Sequence, residues 1–279
     1  VKFAQNKLLF SIIILVLIVL LVIVYNKKIV ISNITYKNSK VPSSFDGYKI
    51  LQISDLHNAE FGKNQKTLIE KTKEIDPDII FITGDLIDSY NTNIDISMKY
   101  IDGITDIAPI YFIPGNHESR IESYNELCDR LTSSGVKISN NKNVFIQKDS
   151  SSIGLIGLDD PAFIQTSNQD ELFKKLLVDL SKDMDSDFKM LLSHRPEKLV
   201  DYKDAKVDLV FSGHAHGGQF RIPFVGGLLA PNQGFFPKYT SGIYKEDNTS
   251  MIVSRGLGNS IFPFRINNSP ELVVVTLEK

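Results

Sequence analysis

The sequence predicts an α/β protein. Two mixed β-sheets pack face to face with helices outside, as a four-layer α/β/β/α sandwich, and one N-terminal transmembrane helix is added. Three observations predict this. Short apolar runs of strand type alternate with segments of helical spacing, and strand-like runs dominate the last third. Five of the apolar runs each deliver a polar, metal-binding type of residue at their carboxyl end. An uncharged apolar stretch, Leu8 to Tyr25, precedes them all.

That stretch contains no Gly and no Pro and is mostly Ile, Leu and Val. At about 1.5 Å rise per residue it spans roughly 27 Å as a helix, close to the thickness of a bilayer core. Lys7, Tyr25, Lys27 and Lys28 bracket it as interfacial anchors. A cleaved secretory signal has a shorter apolar region and a small-residue cleavage site, and Tyr25-Asn26-Lys27-Lys28 offers none. Residues 1–28 therefore read as a retained single-pass anchor in the cell membrane. Lys2 and Lys7 lie on one side of it, and Lys27, Lys28, Lys37 and Lys40 on the other. The flanking charges do not decide sidedness; an extracytoplasmic catalytic domain is slightly favoured. Residues 29–47, with Pro42-Ser43-Ser44, read as a linker or lead-in strand. Residues 48–279 show no repeat and read as one catalytic domain.

Within that domain Tyr48–Ser54 reads as a strand ending at Asp55, and Leu68, Ile69, Thr72 and Ile75 place a helix over 66–75. Ile79–Thr83 is a buried-type strand ending at Gly84-Asp85, followed by a helix over 94–104. Ile110–Ile113 ends at Gly115-Asn116-His117, and 124–131 is helical. Strands follow at 144–147 and 153–156, then a helix over 172–180. Phe188–Leu192 runs into His194, and Val207–Phe211 into Gly213-His214. Strand patterns close the chain at 242–244, 251–254 and 272–277. Ligand crevices in open α/β sheets form at the carboxyl edge of the strands. Glycine at 84, 115 and 213 lets the backbone turn sharply there.

The 279 residues carry 31 basic and 33 acidic side chains, so the charge balance calls for no nucleic-acid partner. The single cysteine, Cys128, excludes an internal disulfide and reads as a small apolar residue on a helix. Asp159-Asp160-Pro161 reads as a turn. No histidine is left over for packing or surface roles. His57, His117, His194, His214 and His216 all sit in ligand-type contexts: Asp55-Leu56-His57, Gly115-Asn116-His117-Glu118, a lone His194 and Gly213-His214-Ala215-His216. Imidazole, carboxylate and amide together suit hard-to-borderline divalent cations. Asp55, His57, Asp85, Asn116, His194, His214 and His216 are more ligands than one catalytic ion needs. Two ions roughly 3.5–4 Å apart would share them, with a bridging carboxylate and a shared water or hydroxide as the in-line nucleophile.

The series Asp-x-His, Gly-Asp-x-x-Asp, Gly-Asn-His-Glu, His and Gly-His-x-His resembles the calcineurin-like metallophosphoesterase superfamily over Tyr48 to Lys279. Gly213 to Gln219, with Ser254-Arg255-Gly256-Leu257-Gly258, is similar to a bacterial, membrane-associated phosphodiesterase subgroup that includes UDP-2,3-diacylglucosamine pyrophosphatase-like enzymes. The resemblance implies that Asp55, His57 and His216 hold one ion, Asn116, His194 and His214 the other, and that Asp85 bridges. It implies that His117 is no ligand but a general acid facing the phosphate, with Glu118 or a nearby carboxylate orienting its ring. Asp88 stands where the purple acid phosphatases have a ligand tyrosine, which favours Mn²⁺, Fe²⁺ or Zn²⁺, manganese slightly ahead. The implied enzyme is a phosphodiesterase or pyrophosphatase; the alternatives are a phosphomonoesterase and a non-catalytic metal-bearing membrane scaffold. Arg221 and Arg255 are candidate phosphate contacts. For Phe220–Tyr244, rich in Phe, Leu, Gly and Pro, two readings stay open: irregular core, or an apolar lip for an amphiphilic or lipid-linked phosphate ester.

Overall fold

A computed structural model describes residues 2–259 and 262–279, except for the side chains at 2–5, 8, 11, 18 and 21. In chain order the principal elements begin with α1 (Lys2–Lys27), β1 (Val30–Lys37), β2 (Lys49–Ile53), α2 (Lys66–Ile75), β3 (Ile79–Thr83), α3 (Ile94–Asp102) and β4 (Ile110–Ile113). The middle holds α4 (Tyr124–Ser133), β5 (Lys137–Ile138), β6 (Lys142–Lys148), β7 (Ser151–Gly157), α5 (Gln169–Asp183), β8 (Lys189–Leu192), α6 (Leu199–Asp204) and β9 (Leu209–Ser212). Two small hairpins follow, β10 (Arg221–Ile222) with β11 (Gly226–Gly227) and β12 (Leu229–Ala230) with β13 (Gly234–Phe235). The chain closes with β14 (Gly242–Glu246), β15 (Thr249–Val253) and β16 (Glu271–Glu278).

One six-stranded sheet has the order β1-β16-β2-β3-β4-β5, the other β14-β15-β9-β8-β7-β6. Both are mixed: β2, β3, β4 and β5 run parallel while β16 opposes β2, and β7, β8, β9 and β15 run parallel while β6 and β14 oppose their neighbours. The two-residue period of the strands sorts their side chains between layers. Ile50, Ile79 and Phe81 face Met190, Leu192, Leu209 and Phe211 between the sheets. Leu51, Ile53, Ile80 and Ile82 face outward onto α2, α3 and α4, whose Leu68, Tyr100 and Leu127 cover them. Leu191, Val210 and Val253 face the other way onto α5 and α6, through Phe173, Leu177, Leu199 and Tyr202. The predicted four-layer order of helices, sheet, sheet and helices is therefore the observed one.

In α2, Leu68, Thr72 and Ile75 fall on one buried face, and the helix stops at Asp76, in the left-handed region before Pro77. Residues 30–37, within the stretch read as linker or lead-in strand, form β1 and pair in parallel with all of β16. Residues 8–25 lie within the continuous helix α1. Among the described residues no helix is long and apolar enough to cross a membrane. The expected stretch is helical, but the expected transmembrane span is not found among the described residues.

The parallel strands bring their carboxyl ends to a common side. A buried amide ties the sheets there: Gln52 donates to Thr83 Oγ1 at 3.0 Å and to the Ser212 carbonyl at 2.9 Å. Sequence reasoning took Gln52 as one more residue of an apolar strand. It is fully buried between the sheets, where leaving its amide unpaired would cost roughly 1–3 kcal/mol.

Candidate active site

Asp55 follows β2, Asp85 follows β3, Asn116 and His117 follow β4, His194 follows β8, and His214 and His216 follow β9. All are buried. Three groups of candidate ligand atoms result: Asp55, His57, Asp85 and His216; Asp85, His194 and His214, with Asp85 common to these two; and His57, Asp88 and His117 at the edge of the first. His57 Nε2 lies 3.2 Å from His216 Nε2 and 3.5 Å from Asp85 Oδ2. His194 Nε2 lies 3.2 Å from Asp85 Oδ2, and His216 Nε2 lies 3.4 Å from Asp55 Oδ1.

The turns that present these groups are unusual. Asp55, His57, Asp85, His214 and His216 all have φ between +46° and +66°, a region side chains avoid unless their surroundings enforce it. The enforcement is visible. The Asp55 N–H donates to the Gly84 carbonyl and the His57 N–H to the Asp85 carbonyl, each at 3.0 Å. The His214 N–H donates to Asp55 Oδ1 at 3.0 Å, and the His117 N–H to Asp85 Oδ1 at 2.8 Å. Gly84 is required by space as well as by its φ of +89°: a Cβ there would lie 2.6 Å from the Gly115 nitrogen and 2.7 Å from His194 Nδ1.

The residues fit divalent cations. His194 Nε2 and Asn116 Oδ1 are buried without a hydrogen-bond partner among the described residues, and His194 Nε2 lies 3.2 Å from Asp85 Oδ2. Buried polar atoms rarely stay unpaired, and an imidazole nitrogen left so beside a carboxylate is what a metal ligand shell leaves behind. His194 Nδ1 meets the Thr83 carbonyl at 2.7 Å and must donate its proton there, which leaves the Nε2 lone pair facing the carboxylates. Burial disfavours the charged ring of His194, yet Asp85 and Asp55 push its pKa up to about 10. A cation between these groups would take that proton's place. Burial lowers His57 to about 3 and holds His214 and His216 well below their ordinary value, so these rings stay neutral and ligand-competent.

His117 stands apart. Its Nδ1 accepts from the Ser89 N–H at 3.0 Å, with Ser89 Oγ at 3.1 Å and Asp88 Oδ1 at 3.4 Å. A backbone N–H only donates, so the proton of the neutral ring sits on Nε2. Glu118 does not orient this ring. Its carboxylate accepts the backbone N–H groups of Gly115 (2.7 Å), Asp85 (2.9 Å) and Ile87 (3.0 Å) and ties two ligand loops together. The carboxylate beside His117 is Asp88. Of the two expected alternatives, Glu118 or a nearby carboxylate, the structure has the second; Glu118 is held by main-chain groups instead, which the motif did not reveal.

Arg221 and Arg255 do not reach the centre. Arg221 donates to the Gly217 carbonyl and Thr240 Oγ1, and Arg255 pairs with Glu271 at 3.0 Å. A cavity of about 160 Å³ over the ligands is lined instead by Arg120 and Arg195, with Tyr90, His117, Pro231 and Asn232. Arg195 is clamped by Asp160, Nε to Oδ2 at 2.5 Å and Nη2 to Oδ1 at 2.8 Å, and its Nη1 donates to Asn232 Oδ1 at 2.6 Å. The turn expected at Asp160 is present, since its carboxylate also accepts the Ala162 N–H. The adjacency His194-Arg195 was the available signal for this arginine. Arg265, also missed, is buried and pairs with the carbonyls of Arg255 and Gly258, and burial lowers its pKa to about 10.

Strand-end Asp, Asn and His groups arranged around two buried ligand clusters define a metallophosphoesterase class of site. A family model for calcineurin-like phosphoesterases matches residues 48–218, and the chain belongs to that family: it is a metal-dependent phosphoester hydrolase. It is similar to the metallophosphoesterase YkuE of Bacillus subtilis, 33% identical over 254 residues, covering 88% of this chain and 84% of the relative. It is also similar to the phosphodiesterase YaeI of Escherichia coli, 26% identical, covering 82% of each chain. A zebrafish (Danio rerio) transmembrane protein with a metallophosphoesterase domain is 26% identical over 86% of this chain and 55% of its own length.

Proposed function

We propose that the protein is a membrane-anchored phosphodiesterase using two divalent cations, with Mn²⁺ the first choice to test. The observation that carries the reading is the convergence of Asp55, His57, Asp85, His194, His214 and His216 from four strand ends, with Asn116 lining the same cavity. Asp55, His57 and His216 would hold one ion and Asn116, His194 and His214 the other, with Asp85 shared. When bound, such ions polarise phosphate oxygens and lower the pKa of a water nearby. The chain's own groups do the rest. His117 presents its Nε2–H to the cavity as a donor for the leaving oxygen, its tautomer set by Ser89. Arg195, oriented by Asp160, offers guanidinium to a phosphate oxygen. The name of the E. coli relative supports a diester substrate.

Anchoring is supported by α1 itself. At 26 residues it is about 39 Å long at roughly 1.5 Å per residue. Its Leu9, Phe10, Ile12, Leu15, Val16 and Val24 are each about half exposed or more, and an exposed helix apolar on all sides belongs in lipid. Full-length protein should stay with membranes through alkaline carbonate and leave them only in detergent; release by carbonate would remove the anchor.

For the activity, the full chain is stripped with chelator and reloaded with Mn²⁺, Fe²⁺ or Zn²⁺. Turnover of bis(p-nitrophenyl) phosphate above that of p-nitrophenyl phosphate is the expected result. A monoester preference would make it a phosphomonoesterase. Bound metal by elemental analysis with no turnover of either would make it a scaffold.

A further inference from the structure

The hairpins after the last ligand motif carry a set of side chains that the fold does not use. Phe224 is fully exposed at the turn between β10 and β11, and Val225, Phe235 and Phe236 are 61–73% exposed. Beside them Phe264 and Ile266 are exposed too. These residues form one surface. Phe220 stacks on Phe262 and Phe264, with ring centroids 5.3 and 5.6 Å apart. The Arg221 N–H donates to the Ile266 carbonyl at 3.0 Å, and the Phe236 N–H to the Leu228 carbonyl at 2.9 Å. Exposed apolar patches of this extent mark interaction sites.

What covers the patch is indicated by where it ends. Pro263 and Phe264 line a groove whose opposite wall is Val22, Ile23 and Asn26 of α1. Asn26 fixes the junction through both amide atoms. It donates to the Arg265 carbonyl at 2.9 Å and accepts the Arg265 N–H at 2.8 Å. The exposed phenylalanines are thus continuous with the last turns of an apolar helix. Lys27 and Lys28 are exposed at the same corner, suited to anionic headgroups.

We propose that this rim, from Phe224 through Phe236 to Ile266, docks into the interfacial layer of the bilayer that α1 enters. The proposal rests on the anchored reading of α1. It has a consequence for the catalytic cavity: Pro231 and Asn232, which line it, belong to the β12–β13 hairpin that carries Phe235. Docking sets the cavity wall at the lipid–water boundary, within reach of membrane-borne phosphate esters.

The chain contains no tryptophan, so one introduced indole is the only such reporter. Full-length Phe224→Trp and Phe235→Trp are reconstituted in phosphatidylcholine–phosphatidylglycerol vesicles with or without brominated acyl chains. Leu15→Trp reports on α1, and Phe145→Trp, exposed on edge strand β6, reports on solvent. The expected result is a blue-shifted emission, quenched by brominated lipid, for Phe224→Trp and Phe235→Trp as for Leu15→Trp, with Phe145→Trp unchanged. Unquenched rim reporters beside a quenched Leu15→Trp overturn the docking while the anchor stands, and leave the patch to a protein partner. Unquenched reporters at all positions overturn both. Quenching at the rim alone overturns the anchor and with it the proposal as stated, since the rim would then meet lipid without α1.

Discussion

The ligand loops and the hairpins from 220 to 236 border one cavity but are built in opposite ways. In the loops the backbone is tightly braced: Glu118 alone holds three backbone N–H groups, and Asp55 and Asp85 each brace the next loop through a main-chain N–H. In the hairpins the strands are two residues long and large apolar groups face solvent. A metal centre needs ligands fixed before the ions arrive, and enforced left-handed turns provide that. A surface that meets a soft partner needs exposed apolar area instead. The contrast teaches that a rigid set of ligand loops and a loosely built, apolar-surfaced segment adjoin at one cavity, joined through Asn232, which meets both Arg195 and His214.

The sharpest way to break the comparison is within the loops. Asp85→Asn should cost several kcal/mol of charge stabilisation, on the order of 10³-fold in kcat with bis(p-nitrophenyl) phosphate, while circular dichroism stays that of the wild type. Turnover near wild type would remove Asp85 from the shared position.

Next in size, His117→Ala should lower kcat by roughly 10²-fold or more with both metals still bound by elemental analysis. Loss of one metal would make it a ligand.

Glu118→Ala separates scaffold from chemistry. It strands three buried N–H groups at about 1–3 kcal/mol each, so the thermal midpoint should fall by several degrees at least, and activity should fall only through lost folding or metal. An unchanged midpoint would refute the loop-tying role.

Asp88→Asn is subtler. Burial holds the His117 pKa below its ordinary value, and Asp85 and Asp88 partly raise it. Removing the Asp88 charge lowers it further, so the alkaline limb of the pH–rate profile, where the general acid loses its proton, should move to lower pH. A limb moving upward, or none at all, would detach Asp88 from His117.

The smallest effect lies outside both regions. Burial, with the charge of Asp160, pushes Asp159 up from 3.8 to about 7. A carboxyl raised in the fold costs stability as pH rises from near 4 to near 7 and remains costly above. Asp159→Asn should therefore stabilise by about 1 kcal/mol at pH 8, roughly 2–4 °C in Tm, with no gain at pH 4.

Much of this was legible beforehand, and the misses share a cause. Strands such as Ile79–Thr83 and Ile110–Ile113 were visible because buried parallel strands are short continuous apolar runs between polar turns. The helix α6 was not read because only Leu199 and Tyr202 of its six residues are buried, too few to show a period. Most ligands are visible because they sit in dense local motifs, and the lone His194 because it ends an apolar strand. The cavity arginine is not legible because a guanidinium has no local signature: Arg221 and Arg255, the candidate phosphate contacts, are engaged by Thr240 and Glu271, and Arg195 lines the cavity instead.

By itself the sequence determined the layer order, the strand-end position of the ligands and their chemical type. Each is set by neighbours within a few residues, through periodicity, turn geometry and donor chemistry. Only the tertiary structure decided that Asp88 rather than Glu118 stands beside His117, that Arg195 lines the cavity, and that Asn26 joins α1 to the Arg265 segment. Those outcomes depend on groups 28 to 239 positions apart meeting within hydrogen-bond distance, and no local rule encodes such a meeting.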